Sequence, residues 1–184
     1  DSKNLDTSYY RDGSPIPYGH TSTTSTIGAY WWYDSSQPNG LTYGKLYNWW
    51  AVNDSRNIAP AGWRVATPAD WTILTDFLGG TSVAGGKLKQ IGTELWQSPN
   101  TGATNSSGFT ALPAGLLVMS TQSFENIFQN AYFRTSLSTD IKRLAYNSAA
   151  VQVADVNNFS FHSVRLIKIL VELTTTTPTE IGRA

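Results

Sequence analysis

Hydrophobic positions recur every three or four residues in the stretch 67–80, which predicts an amphipathic helix there. Thr67 and Asp70 have the spacing of a capping box, and Pro68 suits the first helical position. The Gly79-Gly80 pair that follows can adopt the left-handed conformation that ends a helix. The predicted buried face consists of Trp71, Leu74, Phe77 and Leu78.

Other apolar stretches in the first two thirds are shorter. Helical spacing predicts a first helix over residues 43–53, after Thr42 as a cap; its apolar positions are Leu46, Trp49, Trp50 and Val52. A short strand is predicted around Trp63 and Val65, directly before the capped helix. Residues 83–91 fit either a helical turn or a strand. Residues 109–118 read as a buried strand interrupted by a bulge or kink.

From Ala131 the hydrophobic period changes from helical spacing to two. Four runs rich in β-branched and aromatic residues, separated by polar breaks, predict an antiparallel meander. The last run is long and apolar enough to be a central strand. The four runs are residues 132–137, 141–146, 151–156 and 159–170.

Polar segments separate these elements and set the predicted domain bounds. We expect short strands or extended segments over residues 1–40, and a long loop over residues 98–108 beside an isolated Trp96. Residues 174–184 begin with a threonine run and read as a tail or linker. The prediction is therefore a single domain over residues 1–173.

Composition narrows the function classes. The chain has 184 residues with 14% charged and 12% aromatic residues, so Ser, Thr, Asn and Gly carry its solubility, which is typical of extracellular proteins. A formal net charge of 0 argues against nucleic-acid binding. We expect no membrane insertion, because no apolar run approaches about 18 residues. Without cysteine, thiol chemistry and cysteine-based zinc sites are excluded.

Six ordered sequence blocks resemble the Fibrobacter succinogenes major paralogous domain, and the resemblance covers about residues 4–170. They are Asp12-Gly13-Ser14-Pro15-Ile16-Pro17, Tyr43-Gly44-Lys45-Leu46-Tyr47-Asn48-Trp49, Gly62-Trp63 with Thr67-Pro68 and Trp71, Leu78-Gly79-Gly80, Ala84-Gly85-Gly86-Lys87-Leu88-Lys89, and Gly108-Phe109-Thr110-Ala111-Leu112-Pro113-Ala114-Gly115.

The resemblance implies an α+β, C-type lectin-like fold, with two helices packed on a twisted, mostly antiparallel sheet and long ordered loops. Proteins of this family occur mainly at the surface of Bacteroidetes-like bacteria, in their secretions and in their phages. Some relatives are variable proteins of diversity-generating retroelements. The chain departs from the family pattern at residues 132–138 and 161–166. In such a fold these two segments would belong to the binding face.

The last third supplies a candidate ligand face. Short polar groups beside aromatic rings suit a carbohydrate or a protein epitope, because sugars offer both hydroxyls and apolar faces. The alternative is that these side chains are ordinary turn and solvent-facing residues. The candidate residues are Arg134, Ser136, Asp140, Tyr146, Asn147, Asp155, Asn157, Asn158 and Phe159.

Other chemistry finds less support in the sequence. The pairs Trp31-Trp32 and Trp49-Trp50 suit sugar stacking, but core packing is favoured because adjacent residues point to different sides. No short loop gathers enough oxygen ligands for calcium, and His20 and His162 lie far apart, so no metal or cofactor is predicted. Carboxylates are numerous, yet no catalytic motif accompanies them.

These observations predict a non-catalytic recognition domain that binds a glycan or protein receptor. We expect it outside the cell, on a bacterial surface or a phage particle. The alternative is a structural assembly module of a surface appendage or virion, in which the same surface forms a homo-oligomer or larger assembly. A glycan hydrolase is a third reading.

Overall fold

The computed structural model describes residues 3–22, 24–154 and 157–170. The α-helices are α1 (Gln37–Tyr43), α2 (Trp49–Val52), α3 (Pro68–Phe77) and α4 (Thr81–Leu88), with a 3₁₀ helix at Tyr33–Ser35. The strands are β1 (Tyr30–Trp31), β2 (Leu46–Tyr47), β3 (Trp63–Val65), β4 (Ala114–Val118), β5 (Ser123–Ile127), β6 (Asn130–Arg134), β7 (Ile141–Ala145), β8 (Val151–Ala154), β9 (Ser163–Val164) and β10 (Leu166–Lys168).

The largest sheet has the strand order β5-β4-β6-β7-β8, and β9 also pairs with β6. Strands β6, β7 and β8 are antiparallel neighbours, as the predicted meander requires. Both β4 and β9 run parallel to β6, and the pairs β1-β2 and β3-β10 form two small antiparallel sheets. The molecule is therefore α+β, as predicted from the sequence.

The capped helix α3 is confirmed. Thr67 Oγ1 accepts a hydrogen bond from the Asp70 amide at 3.1 Å, and an Asp70 carboxylate oxygen accepts one from the Thr67 amide at 2.7 Å. Arg64 on β3 pairs with both oxygens of Asp70, which ties the strand to the helix. Gly79 and Gly80 have φ values of 97° and 98°, so they end the helix as expected.

The prediction of a helix over residues 43–53 is wrong for its first half, and the described residues contain four helices rather than two. Gly44 ends α1 with a φ of 79°, and the chain then enters β2. Asn48, rather than Thr42, caps the short helix α2: its Oδ1 accepts hydrogen bonds from the amides of Ala51 and Ala29, each at 3.0 Å. A long-range contact to Ala29 thus sets a boundary that helical spacing cannot reveal.

Residues 83–91, for which the sequence is compatible with either a helical turn or a strand, lie mostly in helix α4. Its two central glycines allow neighbouring backbone to approach closely. A Cβ on Gly85 would collide with the Ala150 carbonyl, and a Cβ on Gly86 would collide with the Gly102 carbonyl. The helix therefore packs directly against two loops of the C-terminal half.

The run 159–170 is not one central strand. Val164 at the end of β9 pairs with Arg134 on β6, whereas Leu166 at the start of β10 pairs with Val65 on β3. The chain changes sheets at Arg165, whose buried guanidinium lies 4.2 Å from the centre of the Phe109 ring. A continuous apolar run does not reveal this switch, because the residues on either side of it, Val164 and Leu166, are both buried.

Aromatic side chains join α3 to the main sheet. The Trp71 ring lies 5.5 Å from Phe133 on β6 and 5.6 Å from Phe109. Phe77, which was predicted on this buried face, is 86% exposed, whereas Thr75 takes an inward position. Trp96 is not isolated as its polar neighbourhood suggests, since it is buried and donates a hydrogen bond to the Ala111 carbonyl.

Two parts of the predicted layout lie outside the described residues. Residues 155 and 156, which include the candidate Asp155, are not described, and neither is the predicted tail over 174–184. The division at residue 173 therefore stays a prediction. Of the helices that the structure describes, none has the length and apolarity needed to cross a membrane.

The Arg64–Asp70 pair makes the stability of this anchor depend on pH. Hydrogen bonding from Arg64 is the main cause that holds the pKa of Asp70 below its ordinary value of 3.8. Because the folded pKa is depressed, the stabilisation is complete above that value and is lost as the pH falls through the lower pKa of the folded state. We expect Asp70→Asn to lower the free energy of unfolding at pH 7, and the difference from the unsubstituted protein to shrink below about pH 4. Urea unfolding at several pH values measures this, and a difference that stays constant at low pH would contradict it.

Candidate functional site

Most of the predicted ligand face lies at one end of the main sheet. The turn 135–140 joins β6 to β7, and the loop 157–160 lies beside it. We call Ser136, Asp140, Asn157, Asn158 and Phe159 the sheet-end surface. Tyr146 and Asn147 follow the other end of β7. At about 3.4 Å per residue along the strand, Tyr146 lies about 20 Å from Asp140. The nine predicted residues therefore do not form one site.

Arg134 lies beneath the sheet-end surface and not on it. The side chain has 0% exposure, so it cannot line a ligand face in this structure. Its guanidinium donates hydrogen bonds to the carbonyls of Ser138 in the turn and of Asn157 and Ser160 in the loop, at 3.3, 3.2 and 3.0 Å. The residue predicted as a ligand contact instead holds the two loops together.

Burial of Arg134 affects the charge of its surroundings. Within the described residues no carboxylate lies within ion-pair distance of it, and burial lowers the pKa of Arg134 to about 9. Its Nη2 also lies 3.0 Å from Nδ1 of the buried His162. Burial, and then the nearby guanidinium, lower the pKa of His162 well below its ordinary value, so the ring is neutral at pH 7 and accepts this hydrogen bond through Nδ1.

Two of the predicted ligand residues lie in the turn 135–140, and one of them is free while the other is paired. Ser136 is exposed, and its amide donates to the Ala66 carbonyl, which fixes the backbone while leaving the hydroxyl toward solvent. Asp140 is mostly buried and forms an ion pair with Lys142 at 2.8 Å. The charge of Asp140 is therefore already paired, and of these two predicted ligand residues Ser136 is the one whose side chain is free to meet a ligand.

The loop 157–160 is held by its own asparagine and by helix α2. Asn157 Oδ1 accepts hydrogen bonds from the amides of Phe159 and Ser160, each at 3.0 Å. The Asn158 carbonyl accepts one from the Trp49 amide at 3.2 Å. These bonds leave the exposed side-chain amide of Asn157 and the half-buried side chain of Asn158 available for a ligand.

An aromatic pair borders the same loop. The rings of Phe159 and Trp50 have centres 6.5 Å apart, and both side chains are half-buried. Helical spacing predicts Trp50 on a core face, so the sequence does not predict its position beside the sheet-end surface. The contact joins residues more than one hundred positions apart, and no local pattern carries that information.

At the opposite end of β7, Tyr146 and Asn147 have a different setting. The Tyr146 amide donates to the Gln129 carbonyl, and its own carbonyl accepts from the Thr101 amide. Beneath them the buried Lys89 donates to the carbonyls of Thr101, Ala145 and Ser148, each at 2.9 Å, and burial lowers the pKa of Lys89 to about 8. Asn147 remains exposed on a turn that is held from below.

The acidic residues with clearly shifted pKa values, which include Asp12 beside its hydrogen-bonding partner Ser14, lie away from the sheet-end surface. Asp54 pairs with Arg56 at 2.7 Å, and this hydrogen bonding lowers the pKa of Asp54 to about 2. Asp70 pairs with Arg64 in the helix cap. Over the described ranges, no group of three or more His, Asp or Glu side chains is placed to hold a metal ion.

The two tryptophan pairs are neither fully buried nor free. Trp31 and Trp32 are both half-buried, and the ring of Tyr18 lies 5.2 Å from Trp31 and 4.9 Å from Trp32. Trp49 is half-buried against the core that contains Tyr47 and Ala51. Packing thus occupies part of the rings of Trp31, Trp32 and Trp49 and leaves part of each exposed, so the preference for core over a sugar platform stays a prediction.

Comparison with known proteins gives one match. The model of the Fibrobacter succinogenes major domain matches residues 2–168. No curated protein and no solved structure matches the chain.

Replacing Arg134 tests its role beneath the two loops. We expect Arg134→Met to lower the free energy of unfolding by about 2–3 kcal/mol, because it removes three hydrogen bonds, of which the one to the Ser160 carbonyl is buried and those to Ser138 and Asn157 are partly buried. Arg134→Lys keeps some of the hydrogen-bond donors, so its free energy of unfolding should lie between those of Arg134→Met and the unsubstituted protein. Urea unfolding measures the stability, and amide hydrogen exchange in the loop 157–160 should be faster in both variants.

Arg143→Met is the matched control, because Arg143 is the same residue type on the neighbouring strand. It is half-buried and donates a side-chain hydrogen bond to Asn130 at 3.0 Å. We expect a loss of about 1 kcal/mol and unchanged exchange in the loop 157–160. Equal effects of the Arg134 and Arg143 substitutions would show that Arg134 does not hold the loops.

Proposed function

We propose a function for this chain, which belongs to the Fibrobacter succinogenes major domain family: it is a non-catalytic recognition domain that binds a glycan or protein receptor through its sheet-end surface. Membership of this family does not by itself specify an activity, and the geometry of the sheet-end surface supports the proposal. The expected setting is outside the cell, on a bacterial surface or a phage particle, and its low charged fraction of 14% supports this.

The observation that carries the proposal is the bridge formed by Arg134. One buried guanidinium binds carbonyls from the turn 135–140 and from the loop 157–160, so the backbone of both is fixed before any ligand arrives. A surface that is already ordered loses less conformational entropy on binding. Irregular loops that are buttressed in this way suit recognition better than loops that must order on contact.

The chemistry of the sheet-end surface suits a neutral, hydroxyl-rich ligand or a polar protein epitope. Ser136 offers a hydroxyl, and Asn157 offers a side-chain amide that can donate to a sugar oxygen. Phe159 and Trp50 add half-exposed ring surface against which an apolar sugar face can pack. The one carboxylate of the surface, Asp140, is already paired with Lys142.

We also propose the finer fold assignment, a C-type lectin-like arrangement. It is supported by the α+β composition, by the long loops around the main sheet and by the helix α3 packed on β6 through Trp71 and Phe133. In such an arrangement the scaffold presents loops at one end of the sheet, which agrees with the position of the sheet-end surface.

The non-catalytic part of the proposal rests on the state of the acids. A general acid at neutral pH needs a raised carboxyl pKa, whereas ion pairs and hydrogen bonds lower the pKa values of Asp54 and Asp70. Each of these two is bound to an arginine that serves a structural role. A pair of carboxylates with opposed pKa shifts, as a glycosidase uses, is not what these residues form.

A pair of matched substitutions tests the proposed surface. Ser136→Arg and Asn147→Arg each place a large side chain at an exposed turn position, one at either end of β7. We expect Ser136→Arg to weaken binding at least about tenfold on a glycan array and on bacterial cells, by steric exclusion, while Asn147→Arg changes it less than about twofold. Asn158→Ala should weaken binding through loss of an amide.

Thermal unfolding of each variant controls for loss of fold. If Asn147→Arg abolishes binding and Ser136→Arg does not, the site lies at the other end of the sheet. If the unsubstituted domain shows no saturable binding to any glycan or cell, the recognition function is wrong.

One observation favours the second function, an assembly module. An open apolar groove of about 370 Å³ lies between α3 and β10, lined by Ile73, Leu74, Phe77 and Ile167 together with Asp70. Phe77 is 86% exposed and Ile73 is 69% exposed, so two large apolar side chains lie on one side of the same helix. Contiguous apolar surface of this kind is typical of protein interfaces.

Light scattering at increasing protein concentration separates the two functions. An assembly module self-associates, and Phe77→Ser should return it to a monomer because it removes the exposed ring from the groove. Leu41→Ser on α1 is the matched control, since Leu41 is 78% exposed on a different helix. A protein that is monomeric at every concentration contradicts the assembly function and agrees with recognition.

A further inference from the structure

A second groove lies away from the sheet-end surface. Its volume is about 720 Å³, which falls within the range of about 300–1,000 Å³ typical of ligand pockets. One wall is the N-terminal segment 5–11, and the other is formed mainly by residues of the stretch 58–63. No residue of the predicted ligand face lines it, so neither the sequence argument nor the proposed function accounts for this groove.

The wall of the groove holds a fixed cation. Arg11 Nε donates to the Ala59 carbonyl at 2.8 Å, and Nη2 donates to the carbonyls of Pro60 and Trp63, each at 3.2 Å. Pro60 and Trp63 themselves line the groove, so the guanidinium lies at its wall. Three bonds to backbone on one side of the fork hold the group in a single orientation, which lowers the entropic cost of binding a ligand.

This cation lacks a counter-ion. In the part of the chain that the structure describes, no carboxylate lies within ion-pair distance of Arg11, and its Nη1 makes no hydrogen bond to protein. The carboxylate in the groove, that of Asp6, pairs with Lys45 at 2.8 Å and its charge is balanced. The groove therefore presents one unpaired, oriented positive charge to its contents.

Aromatic and acceptor groups surround that charge. The Tyr9 side chain is 59% exposed and Trp63 is half-buried, so each offers ring surface within the groove. The Asp6 side chain is 50% exposed and has a second oxygen free to accept a hydroxyl hydrogen. Ring faces beside a hydroxyl acceptor suit a sugar, and a single unpaired guanidinium suits one carboxylate per site.

We propose that this groove binds a carboxylated saccharide, such as a uronic-acid oligomer. The sugar carboxylate accepts a charge-assisted hydrogen bond from Arg11 Nη1, a ring of the sugar packs against the exposed ring of Tyr9, and Asp6 accepts a hydroxyl hydrogen. The binding site is independent of the sheet-end surface, so the domain has two ligand sites of different charge preference.

Isothermal titration of the intact domain with a galacturonate tetramer tests the groove. We expect saturable binding that weakens at least about tenfold when the tetramer is fully methyl-esterified, because the ester cannot form the charge-assisted bond. Arg11→Gln should cause a similar loss. Tyr9→Ala removes an exposed ring without disturbing the core, and we expect it to weaken binding at least about threefold.

Arg143→Gln is the control for net charge, since it removes one positive charge from the main sheet and should change affinity less than about twofold. Ser136→Arg should also leave this titration unchanged, which separates failure of the groove from failure of the sheet-end surface. The proposal is overturned if the tetramer does not bind, if ester and acid bind equally, or if a tetraglutamate peptide binds as tightly as the sugar. It is also overturned if Tyr9→Ala has no effect.

Discussion

Buried cations that bind backbone carbonyls are the interaction on which this molecule depends. Long stretches of chain have no regular partner for their carbonyls, and the interior has few charged groups to satisfy them. Lys89 directly follows α4, and its Nζ binds three carbonyls of neighbouring loops. Arg134 binds three more carbonyls beneath the sheet-end surface. Burial disfavours each charge, as the lowered pKa values of Lys89 and Arg134 indicate, but removal of either would leave several polar groups unsatisfied.

This arrangement explains how a chain with 14% charged residues can keep irregular loops in fixed positions. A backbone hydrogen bond from a strand satisfies one carbonyl at a time, whereas one ammonium or guanidinium group satisfies three carbonyls from two separate segments. Lys89 joins loops that contain Thr101 and Ser148, and Arg134 joins the turn after β6 to the loop before β9. Each cation thus acts at a junction of segments that are distant in sequence, and the main sheet lies between the two junctions.

Arg11 and Arg134 use the same bonds with different consequences. Both guanidinium groups are held by three backbone carbonyls, and neither pairs with a carboxylate of the described residues. Arg134 is enclosed, so its charge serves only the loops above it. Arg11 is exposed at the wall of a groove, so the same fixation leaves a charge that faces a ligand. Burial alone separates the supporting arginine from the proposed binding arginine.

Local patterns in the sequence determined the elements whose stabilising contacts are near in the chain. The capping box of Thr67 and Asp70 and the glycine stop after α3 each lie within about a dozen residues, and the structure agrees with both. The period-two runs that form β6, β7 and β8 were predicted as neighbours for the same reason, because short turns join them. The family was also recognised from ordered blocks, most of which belong to this scaffold.

Tertiary structure decided what depends on distant partners. The Ala29 amide helps to fix Asn48 as the cap of α2, and the neighbours of Arg165 divide the last run between two sheets. The same holds for the sites. The sequence predicted Arg134 on a ligand face, whereas in the structure it is buried and binds carbonyls that are distant in the chain. The sequence also does not reveal that Arg11 binds the Trp63 carbonyl. The sequence by itself determines the charge and size of each side chain. Whether that charge faces solvent or backbone depends on segments that only folding brings together.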